Sequence, residues 1–230
     1  SRLLFEWEKV TGGIGADVVK GIAEATNGDY LVLGETNSVL RDTVTNSVST
    51  TTSLFVSRFS NRGWRTYSLN YGYAGYNYSA GGIAATSDGG YIIVGTADRS
   101  CRNPGDPSEG SDIVVFKVDR YGYYTEWARC YGSTAADQGA DIMQLPNGNY
   151  AVTGAVGGND LQGTGNHGGS DIWVAILSPD GNVLQSQVIG GTGNDIPHSM
   201  HLTNDGGLII AGQTNSTDGN ITGLHGSGAT

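Results

Sequence analysis

The sequence predicts an all-β protein assembled from four copies of one four-stranded antiparallel unit. Three observations carry this. First, one turn segment recurs as Thr26–Gly34, Ser87–Gly95, Pro146–Gly154 and Asn204–Gly212; its turn glycines, Gly28, Gly89, Gly148 and Gly206, lie 61, 59 and 58 residues apart. Second, glycine reaches 38 of 230 residues without a strict period, and charged residues are only 15%. That composition marks many tight turns rather than collagen. Third, the apolar residues fall in short β-branched and aromatic runs with no sustained helical period. Four-stranded units repeated at this length, with only short edges left exposed, predict a β-propeller.

Each element can be placed in order. Strand A surrounds Ile22, Ile83, Ile142 or Met200, and an Asn-Gly or Asp-Gly hairpin turn follows it. Strand B is the run ending at Gly34, Gly95, Gly154 or Gly212. After a long polar loop, strand C carries Leu54, Ile113 or Ile172, and a second glycine turn at Gly63, Gly122 or Gly181 leads into strand D. Strand D holds Trp7, Trp64, Trp127 or the run Leu184 to Val188. The repeats span approximately 12–72, 73–131, 132–190 and 191–230, within a single domain of four blades whose last is incomplete. Trp7, Trp64, Trp127, Trp173, Val32, Ile93, Val152 and Ile210 are expected among the better-buried residues.

The run Gly-Gly-x-x-x-Asp, then Asp-Gly-Gly-Tyr, then Asp-Ile-Trp-Val-x-x-Leu-x-x-x-Gly resembles the Gly- and Asp-rich repeat of bacterial secreted β-propellers. The resemblance covers nearly the whole chain and implies an extracellular or cell-surface propeller. It leaves function open, because propellers host enzymes, lectins and scaffolds alike. Two positions depart from it: Tyr78 replaces the aspartate before strand A in copy two, and Ser53 replaces the one opening strand C in copy one.

Cys101 and Cys130 flank the outer half of blade two, and antiparallel order brings the end of strand B beside the end of strand D. A disulfide is expected there, and with it an oxidising compartment. Asn77, Asn215 and Asn220 each open an N-x-S/T sequon, the acceptor pattern for N-glycosylation. Tyr71, Tyr73, Tyr76 and Tyr78 crowd the connection between blades one and two, a rim where stacking aromatics would suit a sugar; the alternative is a solvated tyrosine-rich loop. The repeat aspartates Asp17, Asp137 and Asp195 have two readings, as calcium ligands or as turn caps that accept backbone N–H bonds. Asp160, Asp218 and Asn220 are the loop oxygen donors placed for a cation, and calcium is the one cofactor such donors would suit. His198 and His201 lie three apart on a strand, so they cannot grip a metal jointly. His167 and His225 occupy equivalent loop positions and read as repeat-derived.

A net charge of −10 disfavours nucleic-acid backbones, and no apolar run approaches a transmembrane helix. No nucleophile elbow, zincin or P-loop pattern is present, so the expected role is not enzymatic. The leading expectation is an extracellular structural or adhesion scaffold that self-associates or binds a surface partner, including as a filament subunit. The alternatives are a lectin-like propeller and a secreted glycan-cleaving enzyme. Glu6-Trp7 aligns with Glu126-Trp127, so an N-terminal strand over 3–11 is expected to join the last repeat and complete its blade.

Overall fold

Two glycine-closed turns organise each of the first three units, and one organises the described part of the fourth. The computed structural model describes residues 8–11, 15–37, 51–73, 75–101, 110–159 and 165–221. Gly28, Gly89, Gly148 and Gly206 adopt φ angles of 81°, 87°, 85° and 88°, which side-chain-bearing residues rarely tolerate. Each donates its N–H to the carbonyl three residues back, as Gly28 does to Ala25 at 2.8 Å. The preceding Asn or Asp caps the turn. Asn27 accepts from Asp29 N, Asp88 from Gly90 N and Asn147 from Asn149 N, at 3.2, 2.8 and 3.1 Å.

The strands that these turns join form sheets in chain order. The first sheet is β1 (Asp17–Glu24), β2 (Tyr30–Thr36), β3 (Ser53–Phe59) and β4 (Arg65–Tyr71). The second is β5 (Tyr78–Ala85), β6 (Tyr91–Ala97), β7 (Asp112–Val118) and β8 (Thr125–Tyr131). The third is β9 (Asp137–Gln144), β10 (Tyr150–Val156), β11 (Asp171–Leu177) and β12 (Val183–Ile189). In the fourth, the described residues supply β13 (Asp195–Leu202) and β14 (Leu208–Thr214). All pairings are antiparallel, and the described residues contain no helix.

A bulge interrupts the first strand of every sheet, at Val19/Gly21, Ala80/Ile83, Gly139/Asp141 and Pro197/Ser199. The repeated strand-B glycine lies against it. A Cβ on Gly95 would sit 2.7 Å from Ser79 O and 3.1 Å from Leu54 of the first sheet. On Gly154 it would sit 2.5 Å from Gln138 O and 2.6 Å from Ile113 of the second. The glycine thus admits both the bulge and a large strand-C side chain from the preceding sheet.

Stacking of the sheets makes the core. Every residue of β6, β7 and β10 is buried, because these strands have a sheet on either side. They therefore read as mostly apolar runs rather than alternating ones, with Asp112 and Lys117 of β7 and Thr96 and Thr153 as buried polar exceptions. At the inner edge, β1 packs on β5, β5 on β9 and β9 on β13. Lys20, Gly81, Gln138 and Pro197, one from each sheet, line a cavity of about 370 Å³ there. Repeated four-stranded sheets arranged in this way are compatible with a repeat propeller. In the first and last sheets, Ile22 of β1 and Ile209 of β14 are 68% and 59% exposed.

Burial corrects part of the expected core. Trp173, Ile93 and Val152 are buried as expected, whereas Val32, Ile210 and Trp127 are half-buried. Trp64 is 71% exposed. It follows the turn glycine and precedes β4, so it projects from the rim instead of packing between sheets. Trp7 lies outside the described residues. Of the expected 3–11 strand, the described part, 8–11, is not strand. Thr11 Oγ1 meets Ser57 Oγ in the first sheet at 2.5 Å, and Lys9 lies over Trp64.

Candidate ligand-binding cleft

The first turns of the first two sheets and the second turn of the second sheet flank a cleft of about 660 Å³. The hairpin turn of the first sheet contributes Asn27 and Asp29, β3 contributes Arg58, and β4 contributes Tyr67. The second sheet contributes Asp88 from one turn and Arg120, Tyr121 and Tyr123 from the other. Tyr121 and Tyr123 are 63% and 76% exposed, and the Tyr67 and Tyr123 rings lie 6.2 Å apart. A second cleft of about 410 Å³ adjoins the first through Tyr123 and reaches Tyr73, Asn70 and Thr125. The two form one aromatic groove across the junction.

The polar walls of the groove are held rigidly. Arg58 pairs with Asp29 Oδ2 through Nε at 2.9 Å and donates to Asn27 Oδ1 at 3.1 Å. It also donates to Arg120 O at 2.8 Å and so ties the first sheet to the second. Asp88 binds the buried Lys117 at 2.8 Å. Although partial burial works against the charge, Lys117, Thr86 and Gly90 N–H hold the Asp88 carboxyl below its ordinary value. Arg120 stacks over Tyr121 at 5.9 Å. The groove therefore offers exposed aromatic faces beside fixed carboxylate, amide and guanidinium groups.

The tyrosines expected to form a rim divide into two kinds. Tyr71 and Tyr78 are buried, each packed 6.3 Å from Phe116, so they are core residues rather than ligand contacts. Tyr71 donates to Gly122 O at 2.7 Å and also meets the Tyr91 hydroxyl. Burial pushes the Tyr78 hydroxyl up to about 12. Tyr76 is half-buried, and Tyr73, 51% exposed, lines the groove. Tyr67, Tyr121 and Tyr123 were not anticipated. For Tyr121 and Tyr123 the signal was present in Arg120-Tyr-Gly-Tyr-Tyr124, which is richer in tyrosine than the equivalent turns at Gly63 and Gly181.

The cysteines form the expected Cys101–Cys130 disulfide. The sequon asparagines brace turns. Asn77 accepts from Thr52 N at 3.0 Å and donates to Asp98 at 2.7 Å, while Asn215 accepts from Asn194 N at 2.5 Å. Asn220 accepts from Gly190 N at 3.4 Å, and Asp218 accepts from Thr192 N at 2.8 Å. Asp160 and His225 lie outside the described residues. Asp137 and Asp195 both cap turns, accepting from Gly157 N and Gly191 N at 3.0 and 2.9 Å. Burial above all, with the nearby Asp112 charge adding to it, lifts the Asp137 carboxyl to about 6. His198 and His201 are both exposed. Among the described residues no three His, Cys, Asp or Glu side chains converge as a metal cluster, and no helix is long and apolar enough to cross a membrane.

No family model matches the chain, and no curated protein matches it. Among solved structures it is similar to a protein of unknown function from Bacteroides caccae, at 15% identity and a TM-score of 0.47. That match covers 84% of this chain and 52% of the other. Two mutants of Synechocystis apocarotenoid oxygenase match at 11% and 10% identity, with TM-scores of 0.40 and 0.41. These cover 76% and 84% of this chain and 39% and 50% of theirs. The chain thus spans about half the length, or less, of these structures.

Proposed function

We propose that this chain is an extracellular adhesion module, a four-bladed propeller that holds carbohydrate in the groove between its first two sheets. The observation that carries the reading is the pairing of exposed Tyr121 and Tyr123 with the fixed Asp29, Asn27 and Asp88 side chains. Sugars present apolar C–H faces and a ring of hydroxyls, so they need both flat aromatic surface and rigid hydrogen-bonding groups. The groove binds rather than cleaves in this reading, because Arg58 and Asp88 are committed to structural partners. The disulfide suits a protein that works outside the cell. Exposed Ile22 in the first sheet and Ile209 in the last favour association with a further copy or another surface protein, which would make the module part of a larger scaffold.

The test is a glycan array probed with the purified protein, followed by titration of its best ligand against Tyr121→Ala and Tyr123→Ala. Each variant should lose about tenfold in affinity, equivalent to about 1.4 kcal/mol, with unchanged thermal stability. An array with no bound glycan, or a double variant that binds like the wild type, overturns the proposal.

A further inference from the structure

At each sheet junction the start of strand C in one repeat meets the start of strand A in the next. At the third-to-fourth junction this brings together Asp171 and Asp195, both 0% exposed. Asp171 Oδ2 accepts from His167 N at 2.6 Å and meets its Nδ1 at 2.9 Å. Asp195 Oδ2 accepts from Gly191 N at 2.9 Å and Ser216 Oγ at 2.7 Å. The other oxygen of each, Oδ1 in both cases, is buried without a hydrogen-bond partner. Both carboxyl groups close on Gly190, where a Cβ would strike Asp171 Oδ1 and lie 2.7 Å from Asp195 Oδ2.

Two buried carboxylates facing one space repel each other, and each orphaned oxygen adds the cost of losing its water. Among the described residues no lysine or arginine pairs with either group, and His167 is the sole ionisable partner. An unsatisfied buried oxygen calls for a bound water or ion, and two carboxylates that repel across one space favour a cation. Carboxylate and hydroxyl oxygens select a hard cation.

The other junctions show that the two aspartates work as a pair. The second junction also brings two aspartates, Asp112 and Asp137, together about a glycine, Gly132, although there both Asp137 oxygens are hydrogen-bonded. At the first, both positions change together, to Ser53 and Tyr78. There the Tyr78 hydroxyl accepts from Tyr73 N at 2.9 Å, which caps the turn without charge. Independent caps would have no reason to depart in concert.

We propose that Asp171 and Asp195 bind a calcium ion at the junction of the third and fourth sheets, with Ser216, backbone carbonyls and water completing its shell. The cation ties the start of strand C in one repeat to the start of strand A in the next. This does not depend on the glycan reading.

The test strips the purified protein with chelator and adds CaCl₂, reading calorimetric binding and the thermal midpoint. Calcium should bind and raise the midpoint by several degrees, because a ligand of the folded state stabilises it. Asp171→Asn and Asp195→Asn should each lower calcium affinity at least tenfold. Terbium luminescence on the unsubstituted chain, displaced by CaCl₂, reads the site even if a variant misfolds. Absence of both calcium binding and terbium displacement overturns the proposal. So does a folded double Asn variant that binds calcium like the wild type.

Discussion

Removing the Cys101–Cys130 disulfide tests whether the second sheet depends on its covalent clasp. The bridge joins residues 29 apart in sequence, with Cα atoms 5.9 Å apart, and packs against the core between the first two sheets. Closing a loop of that length removes chain entropy from the unfolded state worth about 3.5 kcal/mol. Cys101 N also donates to the buried Asp112 at 2.8 Å, so freeing Cys101 loosens that cap as well. For a chain of this size the loss corresponds to a fall in midpoint of about 10 °C. The assay is thermal and denaturant unfolding of the Cys101→Ser/Cys130→Ser variant beside the wild type, each with and without reductant. Reductant should bring the wild type down to the variant and leave the variant unmoved. Hydrogen exchange should rise first in β7 and β8. A wild type whose midpoint ignores complete reduction would refute the reasoning.

Two further outcomes follow from burial. Asp137, lifted to about 6, lies above its unfolded value of about 3.9, so its contribution is intact below pH 4 and lost as pH rises through 6. Raising pH from 4.5 to 7.5 should therefore shift stability towards Asp137→Asn, relative to wild type, by on the order of 2 kcal/mol; a constant gap between the two would sink this. Trp173, 1% exposed, should cost about 3–5 kcal/mol on truncation to Ala, whereas Trp64, 71% exposed, should cost less than about 0.5 kcal/mol by denaturant titration. Equal losses at the two tryptophans would contradict the assigned packing.

The strand order and both families of turns were legible because each is local. Gly28, Gly89, Gly148 and Gly206 announce a positive φ through their Asn or Asp neighbour, and the strand between two such turns has few alternatives. Cys101 and Cys130 were legible because antiparallel order fixes which strand ends share an edge. Burial at the rim was less so: strand D admits Trp64 to its pattern, but a residue beside a turn glycine has no sheet over it. Of the exposed groove residues only Tyr73 was expected at the rim; the rest escaped, since Arg58 and Tyr121 come from different sheets and 63 positions separate them in sequence. Asp195 reads as either a calcium ligand or a turn cap, but its pairing with Asp171 escaped for the same reason. Each resembles a turn cap in its own segment, and only stacking shows that the two face one space at Gly190.

The repeat supplies the scaffold, and the departures from it coincide with the groove. The first junction is the one that has lost both aspartates, with Ser53 and Tyr78 in their places. Tyr78 fills the space beside Gly72 with an aromatic ring and accepts from Tyr73 N, which places Tyr73 at the second cleft. Across the same junction the turn at Gly122 carries Tyr121 and Tyr123 where the turn at Gly181 carries Asp180 and Asn182. Tyr71 joins the two changes by donating to Gly122 O. Exchange of a buried acidic pair for aromatic packing and enrichment of the facing turn in tyrosine are thus parts of one local redesign. The first junction therefore carries aromatic packing where the second and third hold buried carboxylates, as the proposed glycan site calls for.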